Sequence, residues 1–220
     1  MRGDRLIIKD YHREAARGVM ELLDGDALDP GGRYVMTVAG ESGAGKSEIA
    51  AVLAELFEAR GIGSVILQQD DYFVYPPKTN AEMRWRNIGH VGISEVRLDL
   101  LDRHLEEYIG GAGRIEKPLV IFEEDRIDSE QIELDGIGAL VVEGTYTTAL
   151  TYVHRRIFID RTYIDTRDAR SERAREAQDD FLERVLEIEH GIISAHKREA
   201  DIIITRDYEA RKAHGEDIEH

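Results

Sequence analysis

The chain reads as an α/β protein whose parallel sheet is covered on both faces, and three observations say so. Apolar runs without polar alternation recur at Val65-Ile66-Leu67, Ala139-Leu140-Val141-Val142, Ile157-Phe158-Ile159 and Ile202-Ile203-Ile204. Amphipathic segments of helical period lie between them. Strands buried on both faces lose the alternation of half-exposed ones, and regular strand–helix alternation marks parallel sheets. Third, the apolar stretch Val35-Met36-Thr37-Val38-Ala39 runs straight into a glycine-rich turn and then into the helix formers from Glu48 to Phe57.

Each element follows in order. Leu6-Ile7-Ile8 suggests a short edge strand. Tyr11, Ala15, Ala16, Val19, Met20, Leu22 and Leu23 give an amphipathic helix over about 10–24. A loop over 25–32 leads to the first core strand. The helix after the glycine-rich turn ends at Gly61 and Gly63, and a strand follows over 64–68. Residues 70–92, rich in aromatic residues and broken by Pro76 and Pro77, read as an irregular functional loop. A helix is expected over 94–108 with Ser94 as its N-cap. The glycines at 110–113 break it, and 114–134 alternates like a hairpin. Strands over 139–142 and 156–159, helices over 166–176 and 181–196, and a last strand at 201–204 complete the order. The polar tail from Arg206 is expected to be loosely held. The four prolines are expected to fall between periodic segments.

The turn itself is Gly40-Glu41-Ser42-Gly43-Ala44-Gly45-Lys46-Ser47, which fits the GxxxxGK[ST] phosphate-binding pattern (Walker A) with a strand before it and a helix after it. Glycines let the backbone curl so that N–H groups point inward at phosphate oxygens, and the helix N-terminus adds positive potential. Lys46 then serves the β- and γ-phosphates and Ser47 serves Mg²⁺. The strand at 64–68 ends in Gln69-Asp70-Asp71-Tyr72-Phe73. In open α/β sheets ligands sit at the carboxyl ends of strands, so Asp70 is placed to take a substrate hydroxyl proton, while Asp71 points elsewhere. Glu143 ends an apolar strand before Gly144, a second carboxylate for the Mg²⁺ shell. Arg167, Arg170 and Arg173 share a helix face that either clamps phosphate or is simply solvated. His90 is a candidate substrate contact; His154, His190 and His196 read as structural.

Composition sets the outer limits. A net charge of −16 over 220 residues excludes a basic nucleic-acid footprint and disfavours anionic membranes. With no cysteine there is no thiol catalysis and no Cys-based metal site. No apolar run reaches a signal peptide or a membrane span. A cytoplasmic enzyme of one domain, its oligomeric state left open, is the expectation.

In this order the motifs resemble the uridine kinase/phosphoribulokinase family: Gly40–Ser47, Gln69–Phe73, Asn87-Ile88-Gly89-His90, Glu143-Gly144, Asp165-Thr166-Arg167-Asp168-Ala169-Arg170 and Ala200–Ile204. The resemblance covers about 34–205 and implies a P-loop NTPase three-layer fold of the kinase type, with an acceptor-site insert over about 70–135 and a small lid over about 165–182. It implies Asp70 as general base, Tyr72 and Phe73 at the acceptor, Glu143 near Mg²⁺, and Arg167, Arg170 and Arg173 closing on ATP. Where uridine kinases carry an Asp before His90 this chain has Gly89, and Pro118-Leu119-Val120-Ile121 replaces a Tyr-Asp pair. Uridine and cytidine are therefore expected to be poor acceptors. Arg84, Arg86 and Arg126 offer donors instead and, facing inward, would favour an anionic acceptor. The expected function is ATP- and Mg²⁺-dependent phosphorylation of a hydroxyl on a small metabolite. The rivals are a nucleotide-monophosphate-type or toxin-like kinase and a slow ATPase switch.

Overall fold

The computed structural model describes residues 6–23, 32–173 and 179–213, without the side chains at 172 and 173. Six strands form one sheet in the order β2-β5-β1-β6-β7-β8: β1 (Tyr34–Gly40), β2 (Gly63–Gln68), β5 (Ile137–Glu143), β6 (Arg155–Ile159), β7 (Ile202–Ile204) and β8 (Ala210–Lys212). The first five run parallel; only β8 is antiparallel. Alternate residues of the central strands enter two separate cores. Met36, Val38, Val141, Ile157 and Ile204 meet α1 (Asp10–Leu23) and α2 (Lys46–Ala59) on one face. Val35, Ala39, Leu140, Phe158 and Ile203 meet α4 (Leu98–Ile109) and the ribbon of β3 (Arg114–Ile121) and β4 (Arg126–Glu133) on the other. The unbroken apolar runs are explained: both faces of each strand are covered.

Several local expectations give way to tertiary contacts. The segment expected to be irregular contains a helix, α3 (Pro77–Arg86). Pro77 sits in its first turn, where a missing N–H costs nothing. The cap comes from far away: Asp125, in the β3–β4 turn, accepts from Lys78 N at 2.6 Å and from Thr79 Oγ1 at 2.8 Å. Ser94 caps nothing, and α4 starts only at Leu98. Residues before it are tied to the chain after β2, with Val96 bridging Phe73 and Arg97 N donating to Tyr72 O at 2.8 Å. Residues 6–9 form no strand. The tail from Arg206 is not loose as far as it is described: β8 pairs with β7. Pro118 lies within β3 rather than between elements, tolerated because a two-stranded ribbon has only edges. The expected lid begins as α5 (Arg167–Arg173) and resumes as α6 (Asp180–Ile193), its middle lying outside the described residues.

Candidate active site

The sheet order brings two carboxylates beside the glycine-rich turn. Register pairs Gln68 of β2 and Val38 of β1 with Glu143 of β5, so β2 and β5 end together beside β1. The chain after β5 presses closely on the chain after β2: a Cβ on Gly144 would fall 2.2 Å from Gln69 Cβ, so only glycine fits. Gln69 Oε1 in turn accepts from Tyr146 N at 2.6 Å. Glu143, 4% exposed, accepts a hydrogen bond from Ser47 Oγ at 3.1 Å. Burial pushes its carboxyl up to about 7, with the charge of Asp70 adding to the rise and Lys46 and the Ser47 hydrogen bond opposing it. Half-buried Asp70 is thus within electrostatic reach of Glu143. Asp71 turns the other way. Its carboxylate accepts from Lys117 Nζ at 2.7 Å and from Val120 N at 3.0 Å, which fastens β3 to the sheet.

Lys46 opens α2 and donates from Nζ to Glu41 O at 3.0 Å. Gly43 and Gly45 have φ of 77° and 95°, conformations open to glycine. The lid arginines, grouped together in the sequence, separate here. Arg170 lies against the turn, its Cγ 2.8 Å from where a Gly43 Cβ would sit, and is 7% exposed. Nη1 donates to Tyr163 O and to Thr166 Oγ1, whereas Nε and Nη2 are buried with no hydrogen-bond partner. Burial lowers its pKa, as expected for a cation held out of water. Arg167 is instead 66% exposed and pairs with Glu183 at 3.0 Å. The side chain of Arg173 lies outside the described residues. Thr166 Oγ1 donates to Ser42 O at 2.8 Å, which pins the start of α5 to the turn.

On the acceptor side the sequence expectations need correction. Tyr72 is fully buried, its hydroxyl 2.9 Å from His104 Nδ1, so it supports the core and cannot face an acceptor. Phe73, half-buried, packs at the border of the second core. Arg86 is 72% exposed and leans on Glu82; Arg126 is exposed between Glu124 and Asp128. Neither faces inward. Trp85 stacks on Phe181 of α6, with ring centroids 4.0 Å apart. Arg84 does turn inward, but its charge is taken: it meets Glu95 at 2.5 and 3.0 Å and Glu189 at 2.9 Å. Burial alone would lower its pKa; Glu189 and Glu95 together reverse that and hold it above the ordinary value. Asn80 Nδ2 donates to Glu95 at 2.8 Å, and His90 Nε2 lies 3.1 Å from Asn80 Oδ1. Two carboxylates thus face the one guanidinium of Arg84. Tyr146 adjoins it, its buried hydroxyl without a hydrogen-bond partner and its pKa raised by burial and then by Glu189 and Glu95.

Asn80, Glu95, Tyr146 and Glu189 were not legible as site residues, since no local motif marks them. His190 is a similar case. From α6 its Nδ1 reaches Glu41 of the glycine-rich turn at 2.6 Å, and the same carboxylate accepts from Tyr163 N at 2.5 Å.

Among the described residues no cluster of three or more His, Cys, Asp or Glu could hold a metal ion by itself. Mg²⁺ takes one or two protein oxygens and completes its shell with phosphates and water. The adjoining Ser47 hydroxyl and Glu143 carboxylate are hard oxygen donors of that kind. Among the described residues no helix is long and apolar enough to cross a membrane.

Residues 35–208 match the model of the phosphoribulokinase/uridine kinase family. Among curated proteins, the bifunctional alpha-galactosidase/sucrose kinase AgaSK of Mediterraneibacter gnavus is 28% identical over 203 residues, covering 86% of this chain. The chain spans only 21% of that protein's length. Phosphoribulokinase from Rhodobacter spheroides superimposes with a TM-score of 0.61 at 16% identity, covering 79% of this chain and 70% of that one. D-glycerate 3-kinase from Cryptococcus neoformans gives 0.58 at 10% identity, covering 92% and 99%. At these identities the two structures speak for the fold.

Proposed function

Because the chain belongs to the phosphoribulokinase/uridine kinase family, we propose that it transfers the γ-phosphoryl group of ATP, with Mg²⁺, to a hydroxyl of a small neutral polyhydroxylated metabolite. Its enzyme class follows from that membership: a phosphotransferase acting on a hydroxyl acceptor. The observation that carries the rest is the meeting of Asp70 and Glu143 beside Ser47 and Lys46 at the carboxyl edge of the sheet.

Lys46 and the amides from Glu41 to Lys46 hold the terminal phosphates. Ser47 and Glu143 would hold Mg²⁺, which would supply charge neutralisation at the phosphate oxygens. Asp70 orients the acceptor hydroxyl and takes its proton as the oxygen attacks phosphorus. Arg170, whose buried Nε and Nη2 have no hydrogen-bond partner, donates to oxygens that gain charge during transfer. Neutrality of the acceptor is inferred from the cluster at Arg84, whose charge is already matched by Glu95 and Glu189. Carboxylates and Asn80 suit hydroxyl donors, and the sucrose kinase relative is named for a neutral sugar. We place this chemistry in the cytoplasm, on a single kinase domain.

The test is ADP release with Mg²⁺-ATP against a panel of neutral sugars and polyols, sugar phosphates, hydroxy acids and nucleosides. A neutral polyol should give the highest kcat/KM, and Lys46→Ala should lower turnover roughly a thousandfold, the upper range for one removed transition-state donor, while melting as the wild type does. Undiminished turnover in Lys46→Ala would remove the kinase reading. A sugar phosphate or hydroxy acid as best acceptor would remove only the neutral one.

A further inference from the structure

The phosphate-binding turn carries an acid at its second position, where like charge opposes the binding of a polyanion. That residue, Glu41, is 5% exposed, and both of its carboxylate oxygens are held from outside the turn. Oε2 accepts from Tyr163 N, in the chain after β6, at 2.5 Å. Oε1 lies 2.6 Å from Nδ1 of His190, near the end of α6. A carboxylate only accepts, so Nδ1 carries the hydrogen. The His190 ring also sits against Tyr163, with centroids 5.8 Å apart. The helix that delivers it is firmly seated. Val185, Leu186 and Ile193 are buried, and the neighbouring Glu189 pairs with Arg84 at 2.9 Å.

Two cations of the site lie close to Glu41. Lys46 Nζ donates to its carbonyl oxygen at 3.0 Å. Arg170, packed on Gly43, is within electrostatic reach of its carboxylate, and Arg170 Nε and Nη2 have no hydrogen-bond partner among the described residues. A Glu41 carboxylate released from α6 would be drawn to the same cations as phosphate is, and would repel the phosphate besides. We propose that His190 is a positioning residue for the donor: by holding the Glu41 carboxylate against α6, it keeps that charge from occupying Arg170 and Lys46, so that a turn bearing an acid still binds a polyphosphate. The proposal rests on the kinase reading above, which gives the turn to ATP, and the test separates the two.

Binding of ATP and of inorganic tripolyphosphate, each with Mg²⁺, is measured by calorimetry for the wild type, His190→Ala, His190→Asn, Glu41→Gln, the double variant Glu41→Gln/His190→Ala and Lys46→Ala, with melting curves for each. His190→Ala should weaken both ligands alike, roughly tenfold, a modest share of the cost of a like charge set beside a bound one. In the Glu41→Gln background the same substitution should cost under about threefold, because no carboxylate charge is left to stray. His190→Asn, whose amide places a donor where Nδ1 stands, should bind both ligands within about threefold of the wild type. Lys46→Ala should weaken both. A loss in His190→Ala that persists undiminished in the Glu41→Gln background would overturn the proposal and make His190 a prop of the fold. Unchanged affinity in His190→Ala would also overturn it, leaving the kinase reading intact where Lys46→Ala weakens both ligands. A wild type that binds neither ligand would overturn both.

Discussion

The phosphate turn and the acceptor side of the site are built by opposite means. Gly40–Ser47 is one contiguous segment whose work is done largely by backbone, so its geometry is written where it stands. The proposed acceptor side draws Asp70, Asn80, Arg84, Glu95, Tyr146 and Glu189 from distant stretches and aligns them only through the fold. A contiguous motif survives sequence divergence as a unit. Phosphoribulokinase and D-glycerate 3-kinase, whose names differ in the acceptor, share the fold.

Asp70 and Asp71 break or sharpen the comparison most directly, because adjacent residues of one type face the two regimes. Asp70→Asn should lower turnover about a hundredfold or more, the usual scale for a lost general base, with the ATP KM within a few fold. Asp71→Asn should act on the fold instead. Lys117 would lose a carboxylate in a buried pair, keeping only half-buried Glu130 at 2.7 Å, and stability should fall by about 3 kcal/mol in urea unfolding. Kinetics and denaturation of both variants check this; an inactive but fully stable Asp71→Asn would mean that the strand phase is wrong.

Glu143 belongs to both halves and supplies a pH signature. Burial raises its carboxyl from 4.5 to about 7. The native state therefore holds a proton between those values that the unfolded chain has released, so stability from this group is full below about 4.5 and is lost as pH rises toward 7. The difference between wild type and Glu143→Gln should accordingly shift by about 3 kcal/mol across that window and stay flat above it. Urea titrations in EDTA at several pH values measure it. A flat difference throughout would show that Glu143 is well solvated.

The legible parts of the fold share one property: the cause lies within a few residues of the effect. Five parallel strands, α1, α2 and the hairpin follow from local periodicity, and the phosphate turn from its glycines. The misread parts have causes elsewhere. Helix α3 is capped by Asp125, and α4 is delayed because Val96 and Arg97 pair with Phe73 and Tyr72. Tyr72 reads as an acceptor contact by its neighbours in sequence, yet its direction is set by His104. Arg84 reads as a free cation because neither Glu95 nor Glu189 is near it in the chain as a helix-face partner.

Spacing by three put Arg167 and Arg170 on one footing; the structure does not. Arg170→Ala should cost about 2–3 kcal/mol in kcat/KM, as for one preorganised donor, since it is buried on Gly43 with donors unspent. Arg167→Ala, removing an exposed pair with Glu183, should cost under about 1 kcal/mol. Equal losses would mean that the lid closes further on nucleotide and recruits Arg167 as well.

The smallest expected effect probes the charge of the acceptor cluster. Arg84 sits between Glu95, which is fully buried, and Glu189, which is 12% exposed. Glu189→Gln keeps the shape and the hydrogen bond but removes one of the two carboxylate charges that face Arg84. Anionic acceptors should then gain relative to neutral ones by about 1 kcal/mol, roughly fivefold in the ratio of kcat/KM values, the scale of a partly solvated charge pair. The absolute rate with the best neutral acceptor should change less, because Glu95 still orients Arg84 through two contacts. Measuring the ratio within one enzyme preparation cancels any loss of folded protein. No change in the ratio would place the acceptor away from this cluster, and Tyr146 with its unpaired hydroxyl would be the next residue to vary.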